Sequence, residues 1–315
     1  MPGQPPTRFA YLGPAGTFAE AALRTVPAAA RSILLPQPSV PVALEAVREG
    51  RADAAMVPLE NSVEGSVPTT LDELSGGEPL VITWETFLPV SFALLVRPAA
   101  ISSYDEIKTV ATHPHAEAQC RRWLRHTLPR AEVVLAASTA AAAAGVAAGD
   151  FDAAVSAPIA ASHYRLTALA TDLADNPGAV TRFVLLRRPG PPPERTGNDR
   201  TSLVTYIRDN HTGALLEVLT EFAVRGINLT RIESRPTKER LGRYCFSLDC
   251  EGHVADARVG DALAALHRVC ADVRYLGSYP RGDGGTPEPV RRGAADADFA
   301  DAAAWLARLR AEGMC

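Results

Sequence analysis

The run RPGPPPERTGNDR, residues 188–200, constrains this chain more than any other stretch. Its prolines cannot donate to a ladder or continue a helix, and its charges cannot be left in a core. The polypeptide is therefore read as separate folding units joined by a linker. A second polar break, PRGDGGTPEPVRRG, follows Tyr279 and sets off residues 280–315 as a tail. A chain of 315 residues has room for two or three units, and 47% hydrophobic residues suffice for their cores.

The first block alternates short apolar runs with helical patterns. Residues 9–12, 33–35 and 54–57 read as strands. A helix is expected over 17–25, with Thr17 as cap and Glu20 at capping-box spacing. Another is expected over 39–49, capped by Ser39 and stopped by Gly50. The scheme then repeats, with strands over 108–112, 132–136 and 153–156 and helices over 115–126 and 139–148. Gly50 and Gly149 each open the same spacing, Gly-x-x-Asp-Ala-Ala. Two similar α/β lobes imply a cleft between them, a preferred place for small molecules. Residues 201–279 differ: their order, β-α-β-β-α-β, defines a ferredoxin-like sandwich. The tail reads as a short amphipathic helix with Phe299, Trp305, Leu306 and Leu309 partly on one side, docked on its own chain.

Several classes are set aside by simple counts. A formal charge of −4 gives no reason to expect nucleic-acid binding. The amino-terminal residues lack a basic segment before an apolar run, and no stretch approaches 18 uninterrupted apolar residues. The five cysteines, Cys120, Cys245, Cys250, Cys270 and Cys315, form no CxxC pair and read as free thiols. A cytoplasmic protein without a metal site is expected. The only lysines are Lys108 and Lys238, so arginine must supply nearly every other fixed cation.

Chemistry is sought where strands end. YLGPAGTF places Gly13 and Gly16 between a strand and a helix, either as a plain tight turn or as a backbone cradle for an anion. It does not fit the dinucleotide fingerprint G-x-G-x-x-G. PLENSVEGSVPTT gathers Glu60, Asn61, Ser62 and Glu64 at the carboxyl end of the third strand, as a ligand-binding or a merely solvated loop. Thr181 and Arg182 open the apolar strand VTRFVLL, where an arginine beside a hydroxyl can clamp a carboxylate or simply snorkel. Ser138 and Thr139 begin the alanine-rich helix as an ordinary cap or a second anion-binding corner. No nucleophile–His–acid arrangement is present.

Taken together these segments resemble the prephenate dehydratase family. The motifs occur in order: YLGPAGTF (11–18), VPLENSVEGSV (57–67), THPHAEAQC (112–120), ASTAAA (137–142) and VTRF (180–183). GALLEVL (213–219) and ESRP (233–236) resemble the regulatory ACT domain of the same family. The resemblance covers residues 8–279. One departure is that the family's Asn stands two residues before the TRF triplet, whereas Asn176 here is followed by PGAV.

The resemblance implies an α/β catalytic domain over 8–187 with a two-lobed, type 2 periplasmic-binding-like fold. Lobe 1 would hold about 8–80 and 165–187 and lobe 2 about 81–164. A linker at 188–200 and an ACT domain at 201–279 would follow. It further implies conversion of prephenate to phenylpyruvate, carbon dioxide and water without a cofactor, because aromatisation itself drives the loss of carbon dioxide and hydroxide. By the same resemblance Thr181 assists the departing hydroxyl and Arg182 binds a substrate carboxylate. Asn61, Ser62 and the Gly16–Thr17 turn hold polar ends from one lobe, Ser138 and Thr139 from the other. Phe183 packs against the Thr–Arg pair, and Glu60 and Glu64 order their loop. Feedback by phenylalanine is implied at ACT interfaces, through Gly213, Ala214 and Leu215 and through Glu233, Ser234, Arg235 and Pro236, in a homo-oligomeric dimer or tetramer. Two rivals remain: a ligand sensor of the same architecture without chemistry, and a dehydratase acting on arogenate.

Overall fold

A computed structural model describes residues 7–208, 211–237 and 244–312; Lys238 and Cys315 lie outside them. The described residues form two compact units. One holds the chain up to Thr70 together with Thr86–Leu186; the other holds Leu71–Glu85 and the chain from Arg187 onward.

From the amino-terminal side the chain runs β1 (Arg8–Leu12), α1 (Phe18–Arg24), β2 (Ile33–Gln37), α2 (Val40–Arg48), β3 (Ala54–Asn61), β4 (Gly65–Ser66), α3 (Pro68–Ser75) and β5 (Val81–Pro89). It continues through β6 (Ala93–Val96), β7 (Thr109–Thr112), α4 (Pro114–Gln119), α5 (Arg121–Thr127), β8 (Glu132–Leu135), α6 (Thr139–Ala148), β9 (Ala153–Ser156), α7 (Ile159–Tyr164), β10 (Thr167–Ala170) and β11 (Val180–Arg187). Two sheets result, ordered β2-β1-β3-β11-β5 and β8-β7-β9-β6-β10. In each, three parallel strands are followed by one antiparallel strand, β11 against β3 and β6 against β9.

The repeated Gly-x-x-Asp-Ala-Ala does the same structural job in both lobes. Gly50 and Gly149 take positive φ at the ends of α2 and α6, a conformation an L side chain resists. The aspartate three residues later then caps the middle of the three parallel strands, β1 in one lobe and β7 in the other. Asp53 accepts the Arg8 backbone N–H at 2.8 Å, and Asp152 accepts those of Lys108 and Thr109 at 2.9 and 3.0 Å. Burial works to raise the Asp152 pKa, yet these bonds together hold the carboxyl below its ordinary range.

The lobe boundaries differ from those expected. β5 belongs to the first sheet although residue 81 was expected to open lobe 2, and β10 pairs with β6 in the second although 165 was expected to return the chain. β11 is the strand that completes the first sheet on the return, because its apolar face is needed beside β3.

In the second unit β12 (Asp199–Tyr206), α8 (Ala214–Ala223), β13 (Leu229–Pro236), β14 (Tyr244–Glu251), α9 (Ala257–Val269) and β15 (Asp272–Pro280) form the expected sandwich, with strand order β13-β14-β12-β15. Leu203, Phe246 and Leu248 on the sheet pack with Val218 and Phe222 of α8 and Leu266 of α9. Segment 71–85, assigned by sequence to the catalytic block, joins this unit instead because its carboxylates meet arginines there. Glu85 binds Arg200 at 2.6 Å, Asp72 binds Arg235 at 2.9 Å, and Ser75 O accepts from the Tyr206 hydroxyl. Asp199 and Arg200, expected in the linker, are buried in β12; Arg200 is ion-paired with Glu85 and Asp283, and Asp199 accepts from the Thr196 hydroxyl and the Thr196 and Gly197 amides.

The tail forms α10 (Asp296–Glu312). It is held at its start, where Asp296 meets Arg195 at 2.6 Å and accepts the Ala257 N–H at 2.8 Å. Of the side expected to dock, Trp305 and Leu306 are exposed, while Phe299 and Leu309 are half-buried. Among the described residues no helix is long and apolar enough to cross a membrane.

Candidate active site

A cavity of about 610 Å³ lies between the two lobes of the first unit. Side chains alternate faces along a strand, so Thr181 and Phe183 of β11 both reach it while Arg182 does not. Phe18 and Phe92, in edge-to-face contact at 5.5 Å, add to an apolar wall.

Asn61, at the end of β3, stands opposite Thr181 in the ladder. Its Oδ1 accepts the backbone N–H groups of Val63 and Glu64 at 2.8 and 3.1 Å. That fixes which way the amide faces. Nδ2 is thereby turned to donate to Thr181 Oγ1 at 2.8 Å. With a donor already on its oxygen, the Thr181 hydroxyl is left to present its own hydrogen. Ser62 secures the same strand by accepting the Val180 N–H on Oγ at 2.9 Å, while its own N–H donates to Val180 O.

The second lobe supplies the start of α6, a ten-residue helix. Ser138 caps it, accepting the Ala141 N–H at 2.9 Å, and Ser138 and Thr139 both line the cavity. Positive potential from unpaired N–H groups at such a helix start suits an anion. His113 caps α4, its Nδ1 accepting the His115 N–H at 3.3 Å. Burial first, then the neighbouring His115, lowers the His113 pKa against an opposing pull from Glu64, which keeps the ring neutral with Nε2–H as donor.

Glu64 crosses from lobe to lobe, 2.9 Å from His115 Nδ1 and accepting from Gln119 Nε2 at 3.0 Å. Gln119 Oε1 is buried without a hydrogen-bond partner among the described residues, and Gln119 lines the cavity. His113, His115, Gln119, Phe18 and Phe92 were not singled out as site residues by the sequence reading. The motif THPHAEAQC was the available signal for three of them.

The structure thus brings together Thr17, Asn61, Ser138, Thr139, Thr181 and Phe183. It does not bring Gly16, Ser62 or Arg182 to the cavity wall. The Gly16 N–H donates to Glu20 Oε2 at 2.8 Å, so the turn is a tight turn whose amide is already taken, not an open cradle. Glu20 reaches Gly16 rather than the Thr17 amide that a capping box would require. Arg182 is 3% exposed, 3.9 Å from Glu60 Oε2 and over the Phe87 ring at 5.9 Å. No lysine or arginine is among the described lining residues, so the expected arginine clamp on a carboxylate is not seen.

In the second unit Gly213 stands at the start of α8, and Ala214 lines a small pocket with Arg208 and His211. Leu215 packs against the core of that unit. Glu233, Ser234, Arg235 and Pro236 end β13 and do not line that pocket. Arg235 instead donates to Asp72 of α3 from Nε and Nη2 at 3.3 and 2.9 Å. Cys120, Cys245, Cys250 and Cys270 are buried free thiols; burial pushes Cys120 and Cys250 up to about 12 and Cys270 up to about 11.

Comparison with known proteins agrees with this architecture. A family model described as prephenate dehydratase matches residues 9–191, and an ACT domain model matches 201–268. A prephenate dehydratase of Amycolatopsis methanolica is 55% identical over 307 residues, 96% of this chain and 98% of its own. The crystal structure of a prephenate dehydratase from Arthrobacter aurescens in complex with L-Phe has a TM-score of 0.90 at 49% identity, covering 96% of this chain and 99% of that one. A structure described as a novel type of quorum quenching acylase, GqqA, has a TM-score of 0.76 at 31% identity, covering 88% and 98%.

Proposed function

The chain belongs to the prephenate dehydratase family with a carboxy-terminal ACT domain, and from that premise we propose how its own residues carry the reaction. The enzyme converts prephenate to phenylpyruvate, carbon dioxide and water under feedback control through its ACT domain. The observation that carries the site assignment is the Asn61–Thr181 hydrogen bond inside the cavity.

The substrate ring lies against Phe18, Phe92 and Phe183, where its ring carboxylate is poorly solvated. The start of α6, with Ser138 and Thr139, and the neutral donors His113 and Gln119 orient the carboxylates. As the bond to the departing carboxylate breaks, its electron pair enters the ring and the opposite C–O bond breaks. The hydroxide leaves as water after taking one proton. Thr181 donates a hydrogen bond to that oxygen as charge develops on it, and solvent supplies the net proton, directly or through Thr181. Arg182 acts from behind the strand, where it positions β11 and adds fixed positive charge without touching substrate. Ser62 and the Gly16–Thr17 turn are likewise positioning elements.

Phenylalanine is the effector we assign to the ACT domain, held between two copies so that the α8 start of one meets the β13 end of another. That site requires a homo-oligomer, which we place in the cytoplasm. The lack of a lining arginine or lysine among the described residues, with Glu64 at the wall, gives arogenate one specific argument, since its ammonium group would suit a carboxylate.

The test is phenylpyruvate formation from purified protein with prephenate and, separately, arogenate. Turnover of prephenate that vanishes in Thr181→Ala is the expected result. Turnover of arogenate alone would change the substrate, and hydrolysis of an acyl amide with neither would favour acylase chemistry. Undiminished turnover by T181A would remove Thr181 from the mechanism.

A further inference from the structure

The proposed mechanism leaves unused an enclosed carboxylate of the first lobe. Glu20 of α1 is 1% exposed. It accepts from Gly16 N at 2.8 Å and Arg24 Nε at 2.8 Å, and His163 Nε2 lies 2.8 Å from its Oε1. Tyr11 Oη approaches at 3.5 Å. Burial works to raise its pKa, yet the Gly16, Arg24 and His163 bonds together hold it below the usual carboxylate range.

His163 comes from the other lobe. It sits on α7, whose Ala160, Ala161 and Tyr164 pack with Ala93, Leu95 and Val146 of the second lobe. Two further contacts join the same surfaces. The Tyr164 hydroxyl donates to Ala15 O at 2.8 Å. Gly16 lies so close to α7 that a Cβ there would stand 3.2 Å from the Ala160 Cα and 3.1 Å from the Tyr164 ring. One seam between the lobes is therefore built from a steric fit, a neutral hydrogen bond and a carboxylate–imidazole pair whose carboxylate is buried while its imidazole is partly open to solvent. Leu12, Thr17 and Phe18, on either side of this turn, line the cavity.

We propose that Glu20 and His163 form a positioning couple: they fix the turn at residues 13–17 against the second lobe and so set how the reacting pair faces its anchoring wall. Asn61 and Thr181 stand on one lobe, Ser138 and Thr139 on the other, and the couple touches none of them. Small errors of alignment between anchor and reacting group are costly in rate. Arg24 and the Gly16 amide still neutralise Glu20 when His163 is removed, so the seam loosens without stranding a buried charge.

The inference rests on the dehydratase reading for its kinetic arm and stands apart from it in its exchange arm. His163→Ala is expected to lower kcat about tenfold with KM little changed, while His163→Gln, which can still donate to Glu20, restores most of the loss. Tyr164→Phe removes one hydroxyl and is expected to lower kcat about threefold with its melting temperature near that of the wild type. Without substrate, amide exchange over residues 13–17 is expected to quicken about tenfold in H163A. Wild-type protein inactive on prephenate would refute the dehydratase reading, and the exchange arm would still decide this one. Unchanged exchange in H163A overturns the proposal, as does wild-type kcat in both H163A and Y164F.

Discussion

In both lobes the antiparallel strand and its lead-in feed the cavity two side chains, Val90 and Phe92 from the second lobe and Thr181 and Phe183 from the first. The correspondence follows from register. Leu185 and Leu186 lie opposite Met56 and Ala55, as Leu94 and Leu95 lie opposite Val155 and Ala154. Counting back along each strand pairs Phe183 with Phe92 and Thr181 with Val90. The third strands then differ. β3 extends to Asn61 and leads into a polar loop, whereas β9 stops at Ser156 and leads into α7. Under the proposed mechanism one lobe carries the reacting pair, because among the described lining residues a hydroxyl meets an amide held by its own turn on that lobe.

The largest test makes the lobes alike. Thr181→Val, copying Val90, should cost about a thousandfold in kcat with binding little affected, measured as phenylpyruvate release. Asn61→Asp keeps an acceptor for the Val63 and Glu64 amides but replaces the Nδ2 donor with a second acceptor. The Thr181 hydroxyl would then donate to the introduced carboxylate rather than to substrate, and kcat should fall about a hundredfold with the fold intact by circular dichroism.

A third test uses the helices that follow the third strands. α7 stays within its unit, whereas α3 ends in the unit that contains the ACT sheet, where Asp72 binds Arg235. Asp72→Asn should leave basal turnover intact and raise the phenylalanine concentration for half-inhibition about fivefold. Unchanged inhibition would show that this ion pair only fastens α3. A fourth test addresses the shared punctuation. Asp152→Asn should destabilise by about 1 kcal/mol in urea melts at pH 7. Because the folded pKa of Asp152 is depressed, its contribution is present above the ordinary carboxylate pKa and lost as pH falls through the folded value. The deficit of D152N relative to wild type should therefore shrink in acid. The smallest effect is expected for Val90→Thr, about twofold in kcat, since its hydroxyl has no Asn61 opposite it.

Much of this was legible residue by residue. Gly50–Asp53 and Gly149–Asp152 marked two equivalent strand starts, because a left-handed stop and a short acceptor are local requirements. Thr181, Asn61, Ser138 and Thr139 were legible as polar residues at strand and helix ends. Arg182 was misplaced although the two-residue period of a strand already put it on the opposite face from Thr181 and Phe183. Gly16 and Ser62 were read as ligand donors, yet Gly16 donates to Glu20, read only as a capping-box residue, and Ser62 pairs with Val180, 118 positions away.

What the sequence by itself determined is the set of local units: strand and helix starts, the βαββαβ order of 201–279, and the polar residues held at their ends. Periodicity, caps and turns act over a few residues and leave their mark there. Only the tertiary structure decided which lobe takes β5, β10 and β11, that segment 71–85 pairs with arginines of the second unit, and that Glu20 joins His163 across 143 positions. Those choices depend on which buried charges and apolar faces find partners, and a partner's position is a property of the folded chain.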